Sequence, residues 1–162
     1  MILKSLLALA VALAVVVLAW RGYLQWHLPA LIERYGKAVD FATLTRTTAP
    51  HDDLRATEQD APNARQDAPP LVLHAAPDRV ADAIQQLFGP MVLARNGRSF
   101  ALLDRTRWLG FPDFITLAVR DDPAGARVLA YSRSVYGHAD FGANRARVER
   151  WLALLDARLA DR

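Results

Sequence analysis

The feature that most constrains this chain is an unbroken apolar run near its N-terminus. Only one charged residue, Lys4, precedes the run, which extends from Leu6 to Trp20 and ends at Arg21. Such a run cannot be exposed to water, and as a helix it nearly spans the hydrocarbon core of a bilayer. A helix that packs on the core of a water-soluble protein would have one polar face, and this segment has none. The sequence therefore predicts a transmembrane helix over residues 1–22.

Two interpretations of this helix stay open. Residues 17–19, Val-Leu-Ala, are a passable small-residue cleavage site, so the run also fits a cleaved secretory signal. We favour an uncleaved signal anchor, because interfacial aromatic residues continue past that site at Trp20, Tyr23 and Trp26. We choose a single-pass, N-in and C-out topology in the inner (cytoplasmic) membrane, with the C-terminal domain on the periplasmic or extracytoplasmic side. The first expected partner is therefore the lipid bilayer.

Beyond the anchor the composition changes twice. Residues 23–42 have apolar side chains at helical spacing and predict a juxtamembrane helix, although Pro29 favours a new helix start. Residues 43–70 are polar, contain several prolines and lack an apolar period, which predicts an extended or loosely ordered linker. Residues 71–162 return to regular apolar patterning and predict a compact domain.

Composition argues against several chemistries. The 162 residues include no cysteine, which excludes disulfides, thiolate catalysis and cysteine-ligated metals. The net charge is +3 and no long basic run is present, so we predict no nucleic-acid partner. His51, Asp52 and Asp53 contain metal-ligating atoms, but an isolated group of this kind in a polar loop is typical of a solvated turn. We therefore predict no metal site and no cofactor.

The order of elements in the compact domain indicates its fold class. A helix is predicted from Pro77 to a stop at Gly89, and Asn96-Gly97 predicts a hairpin with a type I′ turn. The sequence DDPAG at 121–125 predicts a second hairpin, and a last helix follows Asp140. The order is strand, helix, four strands, helix. We predict an α+β fold with a meandering antiparallel sheet of about four to five strands and two helices on one face, preceded by the transmembrane helix.

The last helix has an apolar stripe. Asp140 is the best N-cap candidate. The apolar side chains recur at three- and four-residue steps and indicate the buried face. They are Val148, Trp151, Leu152, Leu155 and Leu159. The same pattern places most of the arginines, namely Arg147, Arg150 and Arg158, on the solvent side.

Polar residues concentrate where the last strand meets the last helix. We define this group as the polar corner: Ser132, Arg133, Ser134, His138, Asp140, Asn144 and Arg145. A hydrolytic triad is not favoured, because its members usually converge from separate elements and these lie in one short segment. We therefore assign no catalytic residue. An anion site at the helix N-terminus stays open, but we favour a hydrogen-bonded structural corner, since Asp140 would itself occupy the free N–H groups.

Two smaller features lie near the corner. A contact loop, which we define as Trp108, Leu109 and Phe111, places apolar side chains between two strands. It either closes the open end of the sheet or contacts a partner or the membrane. Asp113 begins one strand of the second hairpin and Arg133 ends the other, so we predict that these two form a structural ion pair.

The residues of the corner resemble a known family. The pattern Ser-x-Ser at 132–134, followed by G-x-x-D-x-G-x-N-R-x-R-V at 137–148, resembles the C-terminal signature of the bacterial and plastid domain-of-unknown-function family numbered 1499. The segment RTRWLGFPDFITLAVR and Pro62-Asn63 are also similar to that family, so the resemblance covers roughly residues 62–155. The family usually has arginine and serine where this chain has Val135 and Ala139. The resemblance implies a small domain behind a membrane or export segment, and no known reaction.

Taken together, the sequence predicts a membrane-anchored α+β domain that acts as a binding or scaffold module of the bacterial envelope. Its partners would be the bilayer and possible envelope proteins, and we expect binding rather than catalysis. The alternative is an envelope hydrolase, or a carrier of a small molecule or lipid, that uses the polar corner. A deep concavity onto which Ser132, Ser134 and Asn144 converge would favour that alternative, whereas a filled, fully hydrogen-bonded corner would favour the scaffold.

Overall fold

The structure is a computed structural model that describes residues 2–46, 51–107, 109–137 and 139–160. The elements in these residues are, in chain order, α1 (Ile2–Tyr35), β1 (Asp52–Arg55), β2 (Leu71–Leu73), α2 (Pro77–Phe88), a 3-10 turn (Gly89–Met91), β3 (Val92–Asn96), β4 (Ser99–Arg105), β5 (Pro112–Asp122), β6 (Gly125–Ser134) and α3 (Ala143–Ala160). The predicted α+β class and the long N-terminal apolar helix are both confirmed.

The six strands form one antiparallel sheet in the order β1-β6-β5-β4-β3, and β2 pairs with β6 beside β1. Both hairpins are present as predicted, β3 with β4 and β5 with β6. The strand that the sequence did not indicate is β1, whose four residues, DDLR, are too few to show a clear alternation. Its pairing with β6 completes the sheet edge that borders the polar corner.

The first hairpin differs from its predicted turn type. A type I′ turn needs positive φ at both central residues. Asn96 pairs with Ser99 as the last strand residue, so the two turn residues are Gly97 and Arg98. Gly97 has a φ of 56°, and Arg98 is not among the described residues with positive φ. This is the type II′ pattern, which needs glycine only at the first central position.

Both helices of the compact domain cover one face of the sheet. The core on this side joins Val80 and Ile84 of α2 to Trp151 and Leu155 of α3, over alternate residues of β5 such as Leu117. The rings of Phe88 and Trp151 stack with centroids 4.6 Å apart. Burial of these apolar side chains is the main stabilising contribution on this face. The predicted position of two helices on one face is therefore what the structure shows.

The opposite face of the sheet is covered by Phe41 and by the segment that the sequence predicts as a linker, residues 43–70. Phe41, Leu54 and Ala61 are buried there against Ala118 and Leu129 of the central strands. The structure therefore differs from the expectation of a loosely ordered tether over residues 43–70. The apolar residues of the segment are spaced irregularly, because the segment is mostly neither helix nor strand. A search for regular apolar spacing therefore does not detect that these residues are buried.

Helix α1 runs without a break from the apolar run onto the domain. It is long and apolar enough to cross a membrane, and its apolar window is not buried by the rest of the chain. The stretch from Ile2 to Trp20 is about 28 Å long at 1.5 Å per residue, close to the thickness of bilayer hydrocarbon. The helix continues through Pro29, where a new start was expected, and buries Leu24 and Leu28. The predicted transmembrane helix and the predicted juxtamembrane helix are thus one element, which ends at Tyr35 and not at residue 42.

Candidate functional site

The polar corner lies where four neighbouring strands present polar side chains to the start of α3. Strand register places Asp104 of β4 opposite Asp113 of β5, and Asp113 opposite Ser134 of β6. On the other side of β6, Asp53 of β1 is opposite Ser132. Alternation along the strands points these side chains to the face that α3 covers. The result is a polar row across the sheet beneath one helix.

Asn144 is the centre of this network. Its amide nitrogen contacts the carbonyl oxygen of His51 at 2.8 Å, Ser134 Oγ at 3.0 Å and Asp140 Oδ2 at 2.7 Å. Its amide oxygen accepts from Ser132 Oγ at 2.6 Å and from a guanidinium nitrogen of Arg147 at 2.8 Å. Asn144 and Ser132 are both 0% exposed. One amide therefore ties α3 to β6 and to the chain before β1.

Arg147 is the buried cation of the corner. It forms ion pairs with Asp104, at 2.7 Å from Nε to Oδ2, and with Asp113, whose carboxylate accepts from Nη2. Arg147 also donates to Ser132 Oγ at 3.2 Å. Burial raises the pKa of Asp113, and Arg147 with Ser134 only partly oppose that rise. Removing one partner of such a pair leaves the other charge buried and unpaired, so the pair has a structural role.

Asp140 caps the start of α3. Its carboxylate accepts from the backbone N–H of Gly142 at 3.0 Å and of Asn144 at 2.9 Å. Burial alone would raise the pKa of Asp140, but hydrogen bonds from the backbone of Asn144 and Gly142 and from the Asn144 amide bring it below its ordinary value. Because Asp140 takes these N–H groups, it holds the position that an exogenous anion would need at this helix start.

Not every residue assigned to the corner joins the network. Arg145 is exposed, and its Nε lies 3.7 Å from Asp53 Oδ1 at the edge. Arg133 lies on the opposite face, where its guanidinium stacks over the rings of Tyr35 and Tyr131 at 4.8 and 5.9 Å. His138 lies outside the described residues. The structure thus brings together Ser132, Ser134, Asp140 and Asn144 of the predicted set.

The predicted ion pair between Asp113 and Arg133 is not formed. Register explains the difference, because Arg133 is opposite Phe114 and Asp113 is opposite Ser134. A shift of one residue along a strand turns a side chain to the other face of the sheet. Asp113 therefore pairs with Arg147 from α3 instead.

Sequence reasoning placed Arg147 on the solvent side, and that placement was wrong, since the residue is buried. A signal was present: Arg147 lies three residues after Asn144 and four before Trp151, on the same helix face. Asp53 and Asp104 were missed because their approach to α3 depends on strand register.

The contact loop packs against α1. The ring of Phe111 lies edge-on to Trp20, with centroids 5.4 Å apart, and 6.0 Å from Tyr136. Leu109 is exposed, and Trp108 lies outside the described residues. Phe111 therefore contributes to closing the end of the sheet, while Leu109 faces outward.

The charged residues of β1 stabilise the fold as well, so Asp52 and Asp53 lie in a strand and not in the solvated turn that the sequence predicts. Asp52 pairs with Arg46 at 2.5 Å and accepts from the Tyr131 hydroxyl, and Asp53 pairs with Arg55 at 2.7 Å. Within the described ranges, no group of three or more histidine, cysteine, aspartate or glutamate side chains is placed to hold a metal ion. What the polar corner can do chemically is to bind its own strands and helix together.

Comparison with known proteins identifies a family. A family model described as "Protein of unknown function (DUF1499)" matches residues 45–155. The range begins before β1 and ends inside α3, so it includes the sheet, the polar corner and most of the segment predicted as a linker. No curated protein and no solved structure matches the chain.

Proposed function

The chain belongs to the DUF1499 family of proteins of unknown function, and from this premise we propose that it is a membrane-anchored binding module of the cell envelope. Helix α1 anchors it as a single-pass protein of the inner membrane, with the domain on the periplasmic side. The observation that carries the proposal is that the polar corner is closed. Ser132 and Asn144 have no exposed surface, and their polar atoms bond to one another.

This closure supports a bracing role for the corner more than hydrolysis. The hydroxyl of Ser132 donates to the Asn144 amide oxygen, and an amide cannot take a proton as a general base does. The space between α3 and the sheet is filled by Trp151 and Leu155, which supports packing more than an enclosed carrier site. The residues of the corner then stabilise the packing of α3 on the sheet, and binding takes place on the surface of the domain.

The surface that suits a partner best lies at the β3 edge of the sheet. We define the β3 cleft as a cavity of about 410 Å³ that is lined by the cationic Lys37 and Arg120, by the acidic Asp40 and by exposed residues of β3, among them Arg95. Because β3 ends the strand order, its outer backbone groups are available for an added strand. An extended, acidic segment of another envelope protein fits both the open edge and the excess of cationic over acidic side chains in the cleft.

Site-specific photocrosslinking in intact membranes tests this function. The full chain carries a photoreactive residue in place of Arg95, at the cleft, or of Arg150, on the exposed side of α3. We expect a discrete adduct from position 95 that weakens when Lys37 and Arg120 are both changed to glutamate, with no such adduct from position 150. Absence of an adduct at position 95, or equal adducts at both positions, would contradict the proposal.

A further inference from the structure

A small cleft lies where α1 leaves the apolar run and meets the domain. We define it as the headgroup cleft, lined by Arg21, Leu24 and Gln25 of α1, by Arg105 at the end of β4 and by Gly110 of the following loop. Its volume is about 90 Å³. That is roughly the volume of three water molecules, which suits a phosphate group rather than a whole lipid.

The position of the cleft along α1 sets its depth in a bilayer. Arg21 directly follows Trp20, the last residue of the apolar run. The indole ring of Trp20 stacks on Tyr23 at 5.6 Å and lies 6.2 Å from Tyr136. Together with Phe111, these rings form an aromatic cluster of the kind found at the level of lipid headgroups. A cleft beside this cluster faces phosphates when α1 spans the membrane.

The charges of the cleft favour an anion. Both terminal nitrogens of Arg105 donate to the amide oxygen of Gln25, at 3.0 and 3.1 Å. This neutral acceptor orients the guanidinium without cancelling its charge. A second guanidinium comes from Arg21, which lies over Gly110, a residue with a φ of 71°. Two planar guanidinium groups on one small cleft match the fork-like geometry of phosphate binding.

We propose that the headgroup cleft binds the phosphate of an anionic phospholipid and so holds the domain in one orientation against the bilayer surface. The inference rests on the proposed membrane anchoring by α1. The acyl chains of that lipid lie along the exposed apolar surface of α1, and Leu109, which precedes Gly110 of the cleft in the chain, is exposed as well. The domain is then seated on its membrane and does not swing from its anchor.

Native mass spectrometry of the full chain in mild detergent tests the site. The chain is titrated with phosphatidylglycerol, with phosphatidylcholine, and with inorganic phosphate as a competitor. We expect preferential retention of phosphatidylglycerol and a loss of affinity of roughly fivefold for each arginine in R21Q/R105Q. R150Q removes one exposed arginine in the middle of α3, which does not line the cleft, and should retain the parent affinity. If the double variant is thermally unstable, R105Q alone serves as the second variant, because it leaves α1 unchanged.

Equal retention of the two lipids, or unchanged binding by folded R105Q and R21Q/R105Q, would overturn the lipid site. Displacement of phosphatidylglycerol by low concentrations of inorganic phosphate would also overturn it, since the cleft would then be a free-phosphate site. Carbonate extraction of membranes separates this failure from failure of the anchor. A chain that stays in the membrane pellet keeps its proposed anchoring whatever the lipid result, and a chain released by carbonate loses both proposals.

Discussion

At the scale of single residues, the corner depends on a few buried side chains whose polar atoms all have hydrogen-bond or ion-pair partners. Asn144 uses both its amide nitrogen and its amide oxygen, and Arg147 joins two carboxylates to that amide. Sequence reasoning found Asn144, Ser132 and Asp140, because polar residues around a helix start are a local signal. It missed the partnership of Arg147 with Asp113, because that contact joins residues far apart in sequence and depends on which face each strand residue occupies.

A double-mutant cycle distinguishes the two pairings of Asp113. Asp113→Asn combined with Arg147→Gln should show a coupling free energy of about 1–3 kcal/mol, because these side chains form one buried ion pair. The matched cycle with Arg133→Gln should show a coupling near zero, since Arg133 lies on the other face. Denaturant unfolding of the four chains of each cycle measures both couplings. Stronger coupling to Arg133 than to Arg147 would contradict the observed register.

The cap at Asp140 makes a prediction about pH. The folded pKa of Asp140 lies below its ordinary value of about 3.9, so its ionised form stabilises the fold above that pH. This contribution is lost as pH falls through the folded pKa. Asp140→Asn should therefore be less stable than the parent at neutral pH, with a difference that narrows below about pH 4. Denaturant unfolding across a pH series measures it, and a difference that does not change with pH would count against an ionised cap.

At the scale of elements, the main departure from the sequence prediction is the segment before β2. Residues 43–70 have linker-like composition, yet β1 pairs with β6 and Leu54 is fully buried. Composition reports the average polarity of a segment, whereas burial here depends on isolated apolar residues such as Leu44 and Ala61. The two hairpins were predictable because their turn residues and alternation are local in sequence.

Substitution of Leu54 tests whether this segment is part of the folded core. Leu54→Ala should lower the free energy of unfolding by about 3 kcal/mol, because it removes a large side chain from a filled interior. Val72→Ala is the control on the neighbouring strand β2, where the side chain is 45% exposed, and its cost should be below about 1 kcal/mol. Equal and small effects at the two positions would mean that the segment behaves as a tether.

At the scale of the whole molecule, one helix connects an apolar span to a sheet that is covered on both faces. The fold class, the N-terminal apolar helix and the family were predictable, since each rests on long patterns or on a specific motif. The way the domain sits on α1 was not predictable, because it depends on contacts such as Arg105 with Gln25 and Phe111 with Trp20. The central claim for the molecule is that the polar corner stabilises the packing of α3 on the sheet, while binding is proposed for the outer surface of the domain.

Hydrogen–deuterium exchange of the full chain in lipid nanodiscs tests that claim most directly. The comparison is between the parent, Asn144→Ala, and Arg145→Ala as the control for an exposed neighbour. If Asn144 ties three elements together, its loss should speed exchange in β1, in the end of β6 and in the first turn of α3 at once, while Arg145→Ala leaves all three unchanged. Faster exchange confined to the first turn of α3, or no change at all, would contradict the bracing role of the corner.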